Sequence, residues 1–308
     1  MILVAGSANL DFVVQASHIP APGETVLGRD FKTFPGGKGA NQAVASARAG
    51  GVATHMLAAL GHDAFAQPIE KSLGDAGVVL HAVRSQDQPT GTAFICVSDD
   101  AENAITVAPG ANGALHPAHL PALSGYSHLL LQLETPIATV TAFAQTARKA
   151  GVKAVLNAAP AQALPAELLA ATDILVVNEG ELATIAGIRG TVAECLERIA
   201  IPIVVVTLGA RGCCARQGSA FYLQNAFAIE PVDTTAAGDT FCGALVAALS
   251  QGQSLPTALK SACAASALAC TRLGAQSSIP EAAEVADFLT THSNASSDTT
   301  ALRQFCGL

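Results

Sequence analysis

The stretch Asp233-Thr-Thr-Ala-Ala-Gly-Asp239 ends an extended run, turns on small residues and delivers a carboxylate to the start of a helix. Residues 221–232 upstream read as strand-like. Downstream, Thr240-Phe-Cys-Gly-Ala-Leu-Val-Ala-Ala-Leu-Ser250 is an apolar, small-residue helix pattern closed by Gly252. Free backbone N–H groups at Ala236, Ala237, Gly238 and Asp239 would form an anion-binding nest at the positive end of a helix dipole. A carboxylate beside such a nest can take a hydroxyl proton next to an incoming phosphate, which is what phosphoryl transfer requires. The structural alternative is an Asp that caps its own helix after a Gly turn.

A second cluster, Pro35-Gly-Gly-Lys-Gly-Ala-Asn-Gln-Ala43, also runs straight into a small-residue helix. Glycines around Lys38, Gly37 among them, let backbone approach a polar ligand closely, and Asn41 offers hydroxyls both a donor and an acceptor. This chemistry suits a sugar better than a pyrophosphate. Lys38 is followed by Gly39 instead of Ser or Thr, so the Walker pattern fails, and no strand-borne G-x-G-x-x-G is present for a dinucleotide. A flexible loop opening a helix would explain the glycines but not Lys38 and Asn41.

Two further polar intrusions lie in apolar runs. Residues 2–14 read as one buried strand interrupted by Asn9 and Asp11, two positions apart and so on one strand face. Buried there, both need partners, and a polyhydroxy ligand would supply them, although an Asx-turn at a strand end is the bland reading. Leu129-Leu-Leu-Gln-Leu-Glu-Thr-Pro136 reads as another strand, ending in Glu134, and open α/β sheets keep their ligands at strand ends.

The elements that must position these residues alternate. Apolar strands at 152–157, 174–178 and 203–208 are separated by Ala-rich helical stretches, so the expected fold class is α/β. It should have a predominantly parallel central sheet flanked by helices in a Rossmann-like three-layer arrangement. Residues 12–34 and 90–107 break the rhythm and read as strands of a small projecting β-sheet, the second with a hairpin signal at 99–103. Phe94, Cys96 and Ile105 would give that sheet an apolar face in need of a cover. The expected organisation is one α/β domain over residues 1–290 and a polar C-terminal tail over 291–308, with poor order across 292–300.

With 308 residues, half of them hydrophobic, the chain can bury one large core. No apolar run reaches the ~20 residues of a membrane span, and the N-terminus reads as a strand instead of a basic leader, so the expectation is a soluble, cytoplasmic protein. A net charge of −8 with 16 basic residues and no basic run argues against nucleic acid. It also means that any polyanion must be held by local N–H groups, Mg²⁺ and a few cations. Eight scattered cysteines without C-x-x-C spacing read as core residues of a reducing compartment. Cys213-Cys214 reads as strand filler, with a redox pair as the alternative. His116 and His119, around Pro117, read as surface histidines.

These motifs, in this order, resemble the ribokinase (PfkB-type) family of sugar kinases. The resemblance runs from Gly6-Ser-Ala-Asn-Leu-Asp11 through Pro22-Gly-Glu-Thr25, Gly36-Gly-Lys-Gly-Ala-Asn41, Gln132-Leu-Glu-Thr-Pro136, Asn178-Glu179 and Thr207-Leu-Gly209 to Asp233–Asp239 and Gly274-Ala-Gln-Ser-Ser278. It leaves only the chain beyond about Leu289 uncovered.

The resemblance implies an ATP-dependent kinase acting on the 5-hydroxyl of D-ribose, with Asp239 as base and Ala236, Ala237 and Gly238 as anion hole. Asn9, Asp11, Gly37, Lys38, Asn41 and Glu134 would hold the sugar. Asn178 and Glu181 would lie near the phosphates and Mg²⁺, while Thr207, Gly209, Gly212 and Cys263 would line the nucleotide site. A K⁺ site is implied at Asp233, Thr235, Ala269, Arg272, Gly274 and Ser278, most of them contributing carbonyls, and the projecting sheet is implied to be both a lid and a homodimer interface. Two departures stand out. Ala236 occupies the place of a usual glycine, and Cys263 replaces a larger polar residue near adenine, which bears on nucleotide selectivity. Within the same architecture the substrate could be 2-deoxyribose, fructose or a nucleoside, the last disfavoured by 4% aromatic residues and no Trp. A non-catalytic sugar-binding protein would have no use for Asp239.

Overall fold

The computed structural model describes every residue except Ala101 and residues 293–297. Nine strands form the main sheet: β1 (Ile2–Ala5), β4 (Thr54–Leu60), β5 (Val79–Arg84), β8 (His128–Leu131), β9 (Lys153–Asn157), β10 (Ile174–Asn178), β11 (Ile203–Thr207), β12 (Gly212–Gln217) and β13 (Ala220–Asn225). Their spatial order is β13-β12-β11-β10-β9-β8-β1-β4-β5. All neighbours from β5 to β11 pair in parallel, and β12 and β13 add an antiparallel edge. Four more strands, β2 (Asn9–Gln15), β3 (Phe31–Gly36), β6 (Gly91–Val97) and β7 (Asn103–Ala108), form a separate sheet in the order β3-β2-β6-β7. These strands fall within or beside the segments that broke the βα rhythm. Of the hairpin expected at 99–103, Ala101 lies outside the described residues, and Ser98 N donates to Glu102 O across it.

Continuous apolar runs give strands buried on both faces, because successive side chains point to opposite sides. Ile2 and Val4 of β1 enter one core while Leu3 and Ala5 enter the other, and Val205 and Val204 of β11 divide in the same way. The first core is covered by α1 (Lys38–Arg48), α2 (Ala66–Asp75), α7 (Ala237–Ser250), α8 (Leu255–Cys270) and α9 (Ala282–Thr291). The second is covered by α3 (Ile137–Lys149), α4 (Ala166–Ala171), α5 (Glu179–Ala186), α6 (Val192–Glu197) and α10 (Thr300–Cys306). Helices on both faces of a mostly parallel sheet make the three-layer α/β fold expected from the sequence.

Several expectations need correction. Residues 2–14 are not one strand: β1 ends at Ala5, and after Gly6-Ser7-Ala8 the chain enters the second sheet as β2. A β-carbon at Gly6 would sit 1.8 Å from Gln132 Oε1, so a larger residue at this crossing would have to displace the Gln132 side chain. Glu134 lies beyond the end of β8 instead of within it, and the extended run at 221–232 is strand only as far as Asn225. Of the segment 292–300, residues 293–297 lie outside the described residues. The chain beyond does not behave as a polar tail, because α10 docks with Leu302 and Cys306 buried in the second core.

Helices α1 and α7 meet backbone to backbone. A β-carbon at Gly243 would lie 2.5 Å from Ala45 Cβ and 2.6 Å from Gln42 O, and one at Gly50 would lie 2.1 Å from Ala247 Cβ. Ser46 Oγ bridges the pair, donating to Gln42 O and Gly243 O. Gly243→Ala should therefore force the helices apart and destabilise the fold by about 1–3 kcal/mol, read as a lower urea midpoint with unchanged m-value. An unchanged midpoint would mean that this contact does not set the helix spacing.

Candidate active site

The parallel strands β1, β8, β9, β10 and β11 deliver their carboxyl ends to one edge of the sheet, and α1 and α7 begin there. Gly37, the residue before α1, has φ of +88°, and a β-carbon on it would lie 2.8 Å from Asn9 N. One on Gly39 would lie 2.7 Å from both Ser7 N and Ser7 O. These glycines let the start of α1 press against the crossing between the two sheets. Gly36 does the same for Asp11, whose carboxylate occupies the space a side chain there would need. The contact brings the two Gly-rich motifs and the N-terminal polar pair to one place.

Asn9 is buried, and its Oδ1 accepts from Asn112 Nδ2 at 2.7 Å, while Asn112 Oδ1 accepts from Ala8 N at 2.9 Å. Glu134 Oε2 accepts from Ser7 Oγ at 2.6 Å and from Lys38 N at 3.1 Å, so Glu134 ties the start of α1 to the end of β1. Lys38 stands among carboxylates. Burial alone would lower its pKa, but Asp239, Glu134 and Glu181 outweigh it and the ammonium is held above its ordinary range. Asp11 feels the opposite balance: burial first, then the charges of Glu134 and Asp239, push its carboxyl up to about 7.

Asp239 does not cap α7. The residue before the helix is Ala236, with no side-chain cap, and the Asp239 carboxylate bonds across to α1, Oδ2 accepting from Asn41 Nδ2 and Oδ1 from Gln42 Nε2, both at 2.9 Å. Gln42 is fully buried; its Nε2 also donates to Asn157 Oδ1 at 2.9 Å, and its Oε1 accepts from Gln132 Nε2 at 2.6 Å. Burial pushes the Asp239 carboxyl up, while Lys38 and the bonds from Asn41 and Gln42 restrain that rise. Ala236 has φ of 58°, the only non-glycine residue with positive φ among the described residues. Of the four amides expected to be free at this turn, Ala237 N donates to Thr234 O at 3.2 Å, so the nest is narrower than the sequence implied.

Two cavities flank this turn. One, of about 180 Å³, is lined by Lys38, Asn157, Asn178, Glu181 and Asp239. The other, of about 410 Å³, is lined by Thr207, Gly209, Gly212, Phe227, Phe241 and Cys263. Thr207, Thr234, Ala237 and Gly238 belong to both, so the first turn of α7 is their common wall. Asn178 and Glu181 lock one another at the start of α5: Asn178 Oδ1 accepts from Glu181 N and Glu181 Oε2 from Asn178 N, each at 2.8 Å. Burial pushes the Glu181 carboxyl up. Gly212, at φ of +111°, leaves no room for a side chain, since a β-carbon would lie 2.0 Å from Gln224 O.

The pfkB family of carbohydrate kinases matches residues 1–282. The chain belongs to the pfkB carbohydrate kinase family. Among its relatives, the ribokinase of Haemophilus influenzae is 37% identical over 300 residues, covering 94% of this chain and 98% of that protein. The ribokinase of Thermotoga maritima superposes with a TM-score of 0.87 at 35% identity, covering 94% of this chain and 99% of that one. Arabidopsis thaliana ribokinase, solved in complex with ribose and ATP, superposes with a TM-score of 0.86 at 33% identity over 94% of this chain and 98% of that one.

Other residues of this pfkB-family site carried weaker signals in the sequence. Gln42 lies inside the Gly-rich motif beside Asn41. Gln132 and Asn157 are polar residues at the ends of apolar strands, the same signal that pointed to Glu134. Asn112 sits in a short 3₁₀ turn, Gly110–Ala114, without any local mark. Of the residues expected at a cation site, Asp233, Thr235 and Gly274 come together: Asp233 Oδ1 accepts from Thr235 N and Oδ2 from Gly274 N, both at 2.8 Å. Ser278 and Ala269 are buried, and the Arg272 side chain pairs with Glu284. His116 and His119 cap a 3₁₀ turn near the surface, away from the site.

The raised carboxyl of Asp11 has a consequence for stability. Unfolded, the group titrates near 3.8 and, folded, near 7. The folded state therefore holds a proton that the unfolded state lacks between those values, and its contribution to stability, full below 3.8, is lost as pH rises through 7. Asp11→Asn should raise stability at pH 8 by roughly 1–3 kcal/mol and change it little at pH 4, measured by thermal unfolding at both values. Equal shifts at the two pH values would refute the cause.

Proposed function

We propose that this chain is an ATP-dependent kinase that phosphorylates the 5-hydroxyl of D-ribose, giving D-ribose 5-phosphate and ADP. The observation that carries this reading is the setting of Asp239, a buried carboxylate aimed by Asn41 and Gln42 at the wall between a small polar cavity and a nucleotide-sized cleft. Ribokinases that match nearly the whole chain, one of them holding ribose and ATP, support the choice of sugar.

Asp239 takes the proton of the sugar hydroxyl as its oxygen attacks the γ-phosphoryl in line. Its burial makes it a stronger base than an exposed aspartate. The backbone at Ala236, Ala237 and Gly238 faces the charge that develops on the transferring group, at the positive end of α7. Asn9, Asp11, Gly37, Lys38, Asn41 and Glu134 hold the sugar hydroxyls. Asn41 Oδ1, buried and without a partner among the described residues, is an acceptor that a ligand hydroxyl satisfies.

Thr207, Gly209, Gly212 and Cys263 line the base and ribose of the nucleotide, and Asn178 and Glu181 stand at its phosphate end. The divalent metal that accompanies ATP, Mg²⁺ in this reading, supplies charge neutralisation there. Asp233, Thr235, Ala269, Arg272, Gly274 and Ser278 fit a K⁺ site, because Asp233 already draws the two carbonyl-bearing loops together and Arg272 would contribute only its backbone. Such a cation would stiffen the loop that carries the anion hole.

The same reading takes the chain as one cytoplasmic α/β kinase domain that includes α10, with no nucleic-acid or membrane partner; among the described residues no helix is long and apolar enough to cross a membrane. The β2-β3-β6-β7 sheet serves as lid. Phe94, Cys96 and Ile105 do not share the one apolar face expected, because Ile105 pairs with Ile95, on the face opposite Phe94 and Cys96; the Asp11 face continues through Val13, Ile95, Ile105 and Val107 in register, and Ile105 and Val107 are exposed. A second copy of the chain covers that apolar surface, making a homodimer. Ile105→Lys should convert the dimer to a monomer in analytical ultracentrifugation; a wild-type monomer would refute the interface.

ATP-dependent phosphorylation should be measured on ribose, 2-deoxyribose, fructose and adenosine, with and without K⁺. Ribose should turn over fastest, K⁺ should raise the rate, and Asp239→Asn should lower kcat by about 10²- to 10⁴-fold. Turnover of another sugar in place of ribose would overturn the substrate assignment, and a mutant as active as wild type would overturn the assigned base.

A further inference from the structure

Cys213 and Cys214 lie side by side in β12, yet strand alternation sends them to opposite cores. Cys214 faces Cys306 of α10. Cys213 faces Cys263 of α8, with the two sulfurs 3.7 Å apart and Cys213 fully buried. Cys263 differs from its partner in one respect: it also lines the 410 Å³ cleft. The pair therefore has one thiol that a small molecule entering the cleft can reach and one that only the first can reach. The mechanism above uses neither sulfur as a reacting group.

We propose that Cys263 and Cys213 form an oxidant-sensitive dithiol in the wall of the nucleotide cleft, closed to a disulfide by small peroxides. In the first step the Cys263 sulfur attacks a peroxide oxygen: the S–O bond forms, the O–O bond breaks, and hydrogen peroxide leaves as water, giving a sulfenic acid. In the second step the Cys213 sulfur attacks that of Cys263: the S–S bond forms, the S–O bond breaks, and a second water carries off the oxygen and the thiol proton. Two thiols and one peroxide thus become one disulfide and two waters. The hydrogen bond with the Cys263 thiol, and then burial, hold the Cys213 thiol above its ordinary range; its place as the second sulfur to react follows from its position behind Cys263, off the cleft wall.

Closing the bond brings the sulfurs from 3.7 Å to about 2.05 Å. That movement draws α8 toward β12 and pulls the Cys263 side chain off the cleft wall. If the cleft holds nucleotide, as the proposed function requires, bound ADP shields Cys263 and the disulfide weakens ATP binding.

The test is peptide mass mapping of the full-length protein after hydrogen peroxide, with and without ADP. The expected product is a cross-linked peptide pair containing Cys213 and Cys263, lighter by two hydrogens, reversed by dithiothreitol and formed more slowly with ADP. In Cys213→Ala, Cys263 should accumulate as a sulfenic acid trapped by dimedone. A Cys214–Cys306 cross-link in its place, or over-oxidation of Cys263 with Cys213 still reduced, would overturn the dithiol assignment. The mapping needs no kinase activity. Formation of the 213–263 cross-link at a rate indifferent to ADP would uphold the dithiol while counting against the nucleotide reading of the cleft, and a several-fold rise in KM for ATP in the oxidised enzyme would uphold both.

Discussion

Asp239 keeps its place because α1 and α7 approach closely enough for a carboxylate on one to be gripped by two amides on the other. That approach depends on Gly243 and Ala45 having almost no side chain, and on Ser46 bridging what remains. With the helices that close, the Asn41 and Gln42 amides of α1 reach the Asp239 carboxylate of α7 at 2.9 Å. Gln42 is itself fixed from behind by Gln132 and Asn157, each at the end of its own strand. A carboxylate oriented through three elements needs little rearrangement when a ligand arrives, which is the physical content of preorganisation.

Such a network is costly unless it is complete. Burying Asp239, Glu134, Asp11 and Glu181 near one another would be unfavourable in an apolar interior. Lys38 offsets part of that cost, and its raised pKa is the reciprocal sign of the same field. The rest is managed by hydrogen bonds from Ser7, Asn41, Gln42 and backbone amides, and by letting Asp11 hold its proton to about pH 7. The chain is acidic overall, with a net charge of −8, and Lys38 is the cation it sets among these carboxylates.

Much of this was legible in the amino-acid order, because strand periodicity and glycine placement are local properties. Lys38, Asn41 and Asp239 stood out since small residues surround them, and the three-layer sheet followed from uniformly apolar runs. What escaped was decided by tertiary contact. Nothing local says that residues 2–14 change sheets at Gly6-Ser7-Ala8, since both halves are apolar and extended; the crossing is set by tertiary packing, with Gln132, just past β8, and Gly39 lying against Gly6. Asn112 belongs to the site only because Ala8 passes beside it. The docking of α10 rests on Leu302 and Cys306, two apolar positions too few to mark an amphipathic helix; α10 finds its partners in α6 and β13, and Cys306 meets Cys214 of β12.

The turn before α7 shows how function sets the remaining compromise. A left-handed alanine costs about 1–2 kcal/mol, and a glycine at Ala236 would avoid most of it. The strain is held by Thr240, whose N–H and hydroxyl both donate to Ala236 O, at 2.8 and 2.9 Å. With that carbonyl pinned, the turn is fixed where Ala237 and Gly238 form the shared wall of the two cavities. A glycine would relieve the strain but leave the turn more conformations in the absence of ligand. Alanine therefore trades a little folding stability for a narrower set of turn geometries, at the turn that separates the two cavities.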